Sequence, residues 1–382
     1  RDVLLLNSDV EVAGDWLQRI RNAAYSQDSV GSVTPFSNNA TICSFPNFCK
    51  DNELLFNLDC AELDACFASL FADGPLIDVP TGVGFCMYIR RDALNEVGLF
   101  NEELFGRGYG EENDWCQRAL AAQWRNVLFP GCFVYHKGGV SFGETQKPAV
   151  AKAMKTLDQC YPQYHADVQA FIAQDPARTQ RLDALLTLFA QAQRPKIVMI
   201  SHSMGGGAAQ HVDELARLYR DEALFLHISP EAEGQSVRLC IYDAGVRLQD
   251  GLFFELEREY DKLLSLLRQL GVGRIHFHHT MGLHPRFWGL AKDLGCEFDF
   301  TVHDYYLVNG NPTLTDASAE FVGDFATDFD QRCAEHYPLP ETVDGPAWRE
   351  AQLPLISAAD RLIFPSRDCA ERFRRFFPAD NA

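Results

Sequence analysis

The sequence predicts an α/β protein in which two αβ regions are separated by a helical segment. Short apolar runs typical of strands alternate with helix-patterned stretches through most of the 382 residues. Residues 147–194 instead show helical periodicity without strand-like runs. Apolar residues make up 47% and charged residues 23% of the chain, which is typical of a globular protein. We therefore predict two domains, 1–146 and 195–382, and a helical connector, 147–194.

The first region contains five strand-like runs separated by helical stretches and by loops rich in glycine, proline and asparagine. The runs are VLLL, GSVTPF, GFCMYIR, NVLFP and CFVYH. VLLL is apolar at every position, which predicts a central strand with neighbours on both sides. Because the chain opens on this run without a methionine, we expect earlier strands to belong to a longer protein.

The second region repeats strand and helix more regularly. Predicted strands are KIVMISH, ALFLHIS, VRLCIYD, RIHFHH and EFDFTVHD, and the predicted helices include AAQHVDELARLYRD and YDKLLSLLRQLGV. Residues 316–346 are predicted to form a long loop, and RLIFPSRDCAERFRRFF a strand, a turn and a helix. This order favours a doubly wound sheet with a ligand site at the carboxyl ends of its strands.

Charge and cysteine content limit the function and the compartment. A formal net charge of −19 argues against nucleic-acid binding, which needs a basic face. The 12 cysteines include no C-x-x-C pair, so we expect reduced, buried thiols and a cytoplasmic protein. No run approaches the ~18 apolar residues of a membrane helix, so any membrane association, for example at the inner face, is predicted to be peripheral.

Polar residues of the first region cluster at predicted strand and helix ends. Asn7 and Asp9 follow VLLL, and His136 ends CFVYH. Three acids, Glu111, Glu112 and Asp114, begin a helix, where carboxylates also stabilise the helix dipole without further function. Acids and a histidine at several element ends together are less easily explained by helix stabilisation alone.

These segments resemble the family 2 glycosyltransferases, which have the GT-A fold and use a nucleotide-sugar donor. The resemblance runs from LLLNSDVEV through PTGVGFCMYIRRDALNEVGLFNEELFGRGYGEENDWCQRA to FVYHKGGVSF. It implies that Asp9 and His136 hold Mn²⁺ or Mg²⁺, with Asn7 at the first position of the acidic motif. It also implies that Glu112 is the catalytic base of an inverting transfer.

Further residues of the same segments are implied to support the reaction. Glu111 and Asp114 flank the base, and Thr81, Gly82 and Gly84 match the loop near the donor phosphates and the acceptor. Alternatively, these three form a plain tight turn, and Asp114 is structural. The family holds its nucleotide mainly through the first strands of the domain, so the chain as it stands is expected to bind donor weakly.

The stretch IVMISHSMGGGAAQHVDELA permits two interpretations. In the first, Ser203 is the nucleophile of a hydrolase elbow, with Ser201 in place of the usual first glycine. In the second, a glycine loop receives a phosphate at the start of a helix. An elbow follows several strands of its own sheet, whereas KIVMISH is predicted as the first strand of its domain. We therefore favour the second interpretation.

This region resembles the N-terminal Rossmann-like half of a family 4 glycosyltransferase, which has the GT-B fold. The resemblance implies that Gly205, Gly206 and Gly207 face a phosphate and that His303 lies beside the donor sugar. His279 is a candidate for acceptor contact. For His276 and His278 a role as strand-capping histidines is equally expected. The C-terminal half with its E-x7-E element is not found in the sequence.

The predicted function is a bifunctional glycosyltransferase of surface polysaccharide synthesis. Its partners are a nucleotide-sugar donor and a saccharide or lipid-linked saccharide acceptor. The alternatives are a non-catalytic carbohydrate-binding or scaffold segment and a serine hydrolase that uses Ser203.

Overall fold

The structure is a computed structural model that divides into two compact units. It describes residues 1–106, 109–138, 146–231, 234–244, 246–323, 326–340 and 343–377. Unit 1 comprises Arg1–Gln191 and unit 2 comprises Ala192–Ala382. The helices that the sequence predicts as a connector belong to unit 1. Residues 107–108 of the predicted glycine-rich loop and 139–145 before the predicted boundary lie outside the described residues.

Unit 1 is built on a six-stranded mixed sheet. Its strands are β1 (Val3–Leu6), β2 (Val10–Glu11), β3 (Val30–Ser37), β4 (Ile77–Asp78), β5 (Cys86–Ile89) and β6 (Arg125–His136). The order is β1-β5-β3-β6-β2, and β4 pairs with β6. Only β3 and β6 are parallel to each other. The last residues of β6 pair with β2, which places His136 opposite Val10.

Eight helices of unit 1 surround this sheet in the described part of the chain. They are α1 (Trp16–Ala24), α2 (Cys60–Phe71), α3 (Arg91–Val97), α4 (Glu102–Phe105), α5 (Glu111–Ala121), α6 (Gln146–Cys160), α7 (Tyr164–Gln174) and α8 (Arg178–Gln191). Short 3-10 helices span Thr41–Cys43 and Leu55–Asn57. Helix α5 packs on the sheet through Trp115, which is fully buried against Met87 and Ile89 of β5. This packing fixes the start of α5 beside the carboxyl-end loops of the sheet.

Unit 2 contains a seven-stranded sheet in the order β10-β9-β8-β7-β11-β12-β13. The strands are β7 (Lys196–Ile200), β8 (Leu224–Glu231), β9 (Ser236–Asp243), β10 (Val246–Glu255), β11 (Val272–Phe277), β12 (Glu297–Thr301) and β13 (Arg361–Ile363). Five neighbouring strands of this sheet are parallel, namely β8, β7, β11, β12 and β13. At one edge, β9 pairs antiparallel with β8 and β10 pairs antiparallel with β9. The chain order reverses between β7 and β11, and a ligand crevice is expected at the carboxyl ends of those two strands.

The helices of unit 2 connect these strands and cover the sheet. They are α9 (Gly206–Leu218), α10 (Leu256–Gln269), α11 (Leu290–Leu294), α12 (Tyr306–Asn309), α13 (Phe329–His336), α14 (Gly345–Ala358) and α15 (Arg367–Phe376), with a 3-10 helix at Pro285–Gly289. Helix α10 shows the expected amphipathic spacing, because its buried residues recur every three or four positions. They are Leu256, Tyr260, Leu263, Leu264 and Leu267.

The predicted α/β class is confirmed, and the sequence misplaced several elements. NVLFP and CFVYH form one strand, β6, and β10 was not predicted. The predicted loop 316–346 contains α13 and the start of α14. β1 lies at one end of its sheet with half-buried side chains and pairs with β5 alone among the described strands, so it is not the central strand predicted from its apolar residues.

The structure also bears on the predictions about the cysteines and about membrane-spanning helices. All 12 cysteines are free, and most are buried, as expected for thiols that act as small apolar side chains. Among the described residues, every helix is too short or too polar to cross a bilayer.

Candidate functional site

In unit 1 the structure brings Asn7, Asp9 and His136 together at one end of the sheet. The Nε2 atom of His136 lies 3.6 Å from Oδ1 of Asp9 and 3.5 Å from Nδ2 of Asn7. Oδ1 of Asp9 is buried and makes no hydrogen bond within the described chain. A carboxylate oxygen, an imidazole nitrogen and the side-chain amide of Asn7 thus lie close together.

His136 is held in one orientation by two asparagines. Its Nδ1 lies 2.8 Å from the carbonyl oxygen of Asn39. A carbonyl oxygen can only accept a hydrogen bond, so Nδ1 must carry the ring proton. Asn38 accepts from the His136 N–H at 2.8 Å and donates to the His136 carbonyl at 3.0 Å. The ring of Phe85 stacks on the imidazole at 5.3 Å. Nε2 therefore carries the lone pair, which faces the Asn7 amide nitrogen at 3.5 Å, as in histidines that bind metals with a backbone carbonyl behind them.

Glu112 lies at the start of α5, next to the loop that precedes β5. A methyl group placed on Gly84 would lie 3.7–3.9 Å from the Glu112 side chain, so the absence of a side chain leaves room there. Burial raises the pKa of the Glu112 carboxyl, and the charge of Glu111 raises it further. Such a carboxyl is closer to the pKa that a general base needs near neutral pH.

The loop connects Glu112 with the Asp9–His136 site, although the carboxylate is not a third ligand there. The Glu112 side chain lies beside the space where a side chain of residue 84 would be, and the next residue, Phe85, stacks on His136 and accepts from the N–H of Asn7 through its carbonyl at 2.9 Å. Among the described residues, the only group of three or more metal-ligating side chains lies elsewhere, in unit 2. The sequence predicts that Asp9, His136 and Glu112 converge on one cation. Asp9 and His136 do lie together, whereas Glu112 does not join them.

Other predicted residues of unit 1 have structural partners. Asp114 is buried, accepts from Arg118 at 2.9 Å and from the Tyr161 hydroxyl at 2.7 Å, and so fixes the chain after α6 to α5. Thr81 accepts from Asn113 at 2.8 Å and donates to the carbonyl of Gly82. Any side chain on Gly82 would meet Met87 at 2.9 Å. Glu111 differs, because its Oε2 is buried and has no hydrogen-bond partner in the described chain.

In unit 2 the predicted residues line one cleft at the carboxyl ends of β7, β11 and β12. The cleft has a volume of about 580 Å³ and is lined by Gly205, Gly206, Gly207, His279 and His303 together with His202, His211 and Asp304. Gly205 precedes α9 with φ 78° and ψ −147°, a conformation reserved almost entirely for glycine. The N–H groups at the start of α9 thus open on a cleft rich in imidazoles.

Burial changes the titration of several histidines in and below this cleft. Burial, together with the neighbouring His211, lowers the pKa of His303 to about 4. Burial likewise lowers the pKa of His276 to about 4 and that of His278 well below its usual value. His279 bonds Asp304 at 3.1 Å, and His276 bonds the Thr301 hydroxyl at 2.7 Å. His276 and His279 thus have protein partners, whereas Nε2 of His278 is buried without one in the described chain.

Ser203 does not have the surroundings of a hydrolase nucleophile. It is exposed, lacks the strained positive φ of an elbow, and makes no hydrogen bond to any described histidine. Ser201 is the serine that contacts a histidine, at 2.8 Å from Nε2 of His227, and it is completely buried. A buried serine cannot reach a substrate, so neither residue supports the hydrolase alternative.

Sequence reasoning missed several residues that build the two sites. Asn38 and Asn39 follow β3, and only the parallel pairing of β3 with β6 shows that they face His136. His202 and His211 flank the glycine loop. In the sequence neither differs from an ordinary loop or helix residue, so no signal marked them. Asp304 directly follows His303, and its position after a predicted strand was the available signal.

No protein-family model matches this chain, and a comparison with curated proteins gives no match. Its function is therefore argued from the residues and distances above.

Proposed function

We propose that this chain belongs to a glycosyltransferase that moves a sugar from a nucleotide-sugar donor to a saccharide acceptor. In this proposal unit 1 is a GT-A domain that uses Mn²⁺ or Mg²⁺ and inverts the anomeric centre. Unit 2 is the N-terminal half of a GT-B domain whose cleft receives a second donor or acceptor. The enzyme would act on the cytoplasmic side of a membrane in surface polysaccharide synthesis.

The observation that carries the proposal is the fixed pair Asp9 and His136. Nε2 of His136 and the unpartnered carboxylate oxygen of Asp9 lie 3.6 Å apart, which suits two ligands of one cation. Oxygen-rich sites with one imidazole bind Mn²⁺, and Mg²⁺ requires oxygen ligands that Asp9 and Asn7 offer. When bound, a divalent cation neutralises the charge of the departing nucleoside diphosphate.

Glu112 supplies the proton acceptor. In the proposed reaction its carboxylate takes the proton of an acceptor hydroxyl while that oxygen forms a bond to the anomeric carbon, and the bond to the diphosphate breaks on the opposite face. The side chain has space beside Gly84, and its neighbours Glu111 and Gly110 lie on the same helix start. Because Asp114 and Thr81 are bound to protein groups, we assign them to positioning α5 and the loop.

Two measurements on the purified protein test the proposal. Mn²⁺ binding is measured by electron paramagnetic resonance for Asp9→Ala and His136→Ala, with the exposed residues Asp73→Ala and His165→Ala as matched controls. Sugar transfer is measured with a panel of nucleoside diphosphate sugars and saccharides, with and without chelator. We expect the first pair alone to lose Mn²⁺ binding and transfer to stop on chelation.

The possible results separate the candidate functions. Binding of saccharides without turnover, together with Mn²⁺ binding that is unchanged in Asp9→Ala and His136→Ala, would favour the non-catalytic carbohydrate-binding alternative. Transfer that proceeds equally in the presence of chelator would contradict the metal-dependent mechanism.

A further inference from the structure

Three histidines of unit 2 come from three separate elements and meet beneath the cleft. His211 lies on α9, His278 follows β11 and His303 follows β12. One ring nitrogen from each lies within 4.8 Å of the other two. The ring centroid of His211 lies 5.4 Å from that of His278 and 5.1 Å from that of His303. Sheet topology, not sequence proximity, produces this group.

The separations fit ligands of one small cation. Zinc–nitrogen bonds of about 2.0–2.1 Å at tetrahedral angles place two ligating nitrogens roughly 3.3 Å apart. Nδ1 of His278 lies 3.2 Å from Nε2 of His303. A ring nitrogen of His211, which is half-buried on α9, lies within 4.8 Å of both and would have to approach them to complete the set.

Protein hydrogen bonds account for these rings only in part. Nδ1 of His278 and Nε2 of His303 lie at hydrogen-bond distance, 3.2 Å. His278 is completely buried, yet its Nε2 has no partner among the described residues. Neither ring nitrogen of His211 takes part in a hydrogen bond within the same part of the chain. A buried polar atom without a partner costs about 1–3 kcal/mol, so the His278 ring is expected to gain from a further interaction.

The ligand set selects the class of metal. No carboxylate belongs to the trio, and three imidazoles favour zinc and its neighbours Co²⁺, Ni²⁺ and Cu²⁺ over Mg²⁺ or Ca²⁺. His211 and His303 also line the cleft of about 580 Å³, whereas His278 lies below it. A fourth position therefore faces open space, as in zinc sites with three protein ligands and an exchangeable one.

We propose that His211, His278 and His303 bind one transition-metal ion of the zinc class at the floor of the unit 2 cleft. The proposal does not depend on glycosyl transfer by either unit, and its test requires no turnover. The glycine loop at the start of α9 lies on the same cleft, so an anion held there would approach the open position of the ion.

The test is a titration of metal-free protein with Co²⁺, followed by displacement with Zn²⁺. It is made in an Asp9→Ala background, which removes the unit 1 site. We expect one equivalent with the intense visible absorption of four-coordinate Co²⁺. His211→Ala and His303→Ala should each weaken Zn²⁺ binding by at least about 100-fold, at the upper end of what loss of an outer partner alone costs.

The exposed His336→Ala of unit 2 is the matched control, and circular dichroism verifies that each variant is folded. The buried His278 is left intact, because its removal alone threatens the fold. Retention of one tight Zn²⁺ in the double variant His211→Ala/His303→Ala, or the absence of any stoichiometric Co²⁺ site, would overturn the proposal.

Discussion

The two units place histidines at the carboxyl ends of strands in different ways. In unit 1 a single histidine, His136, is fixed by Asn38 and Asn39 and faces the carboxylate of Asp9. In unit 2 several histidines contact one another, and no carboxylate joins the group around His278. The first arrangement suits a hard cation with oxygen ligands, and the second suits a softer one with nitrogen ligands.

The means of positioning also differ. Side-chain hydrogen bonds from a distant loop orient the unit 1 site, whereas backbone conformation shapes the unit 2 cleft. There the order of parallel strands delivers the histidines, and Gly205 turns the chain into α9. Substitutions of single side chains should therefore act differently in the two units.

The largest expected effect concerns Glu112, which has no counterpart in the unit 2 cleft. Glu112→Gln should lower the rate of sugar transfer by about 10²–10⁴-fold, the usual contribution of a general base. A general base must be deprotonated, so the wild-type rate should rise with pH. Burial and then the charge of Glu111 raise the pKa of Glu112, so the midpoint of this rise should lie above that of an ordinary glutamate. The measurement is the pH profile of kcat/KM.

Glu111→Gln removes the neighbouring like charge and should move this midpoint to lower pH. The exposed Glu103→Gln serves as control and should leave the profile unchanged. A midpoint that does not move in Glu111→Gln, or a Glu112→Gln variant with full activity, would remove Glu112 from the role of base.

The sequence predicted the two units unequally. In unit 2, regular alternation of strands and helices identified the sheet, and residues after successive parallel strands necessarily share one edge. Gly205 to Gly207, His279 and His303 could therefore be placed together from the sequence, and all line one cleft. The metal trio could not, because His211 projects from a helix whose rotation depends on tertiary packing.

In unit 1, motif positions placed Asp9 and His136 together, while the surrounding detail escaped prediction. The asparagines that hold His136 act across a sheet pairing between β3 and β6, which no local pattern specifies. The apolar run of β1 indicated a central strand, although burial alone cannot distinguish a strand covered by helices from one paired on both edges. By its position Asp114 was a candidate for supporting the reaction or for a structural role, and its bonds to Arg118 and Tyr161 favour the structural role.

An intermediate effect is expected for substitution of Asn38. This substitution tests whether side-chain hydrogen bonds, rather than the sheet topology, position His136. Asn38→Ala removes one bond to the N–H and one to the carbonyl of His136; the carbonyl keeps its bond from Asn39, whereas the N–H loses its side-chain acceptor. We expect a loss of about 1–3 kcal/mol in the free energy of unfolding. Mn²⁺ affinity should fall about 10–100-fold, as for other residues that orient a metal ligand.

Urea unfolding and Mn²⁺ titration measure the two effects, and the exposed Asn22→Ala is the control. The Co²⁺ site of unit 2 should be unchanged in Asn38→Ala. Lower stability with unaltered Mn²⁺ affinity would show that Asn38 supports the fold without orienting His136.

The smallest effect is expected for Gly207 of the glycine loop, and it should be opposite in sign to the effect at Gly205. Gly205→Ala places a side chain at φ 78° and ψ −147°, so the free energy of unfolding should fall by about 1–3 kcal/mol. Gly207→Ala lies inside α9, where an added Cβ meets nothing within 4 Å, and should raise it by about 0.4–1 kcal/mol. Each variant controls for the other in urea unfolding. Equal effects would mean that the backbone of this loop adapts freely, and the cleft would then depend on its side chains, as the site of unit 1 does.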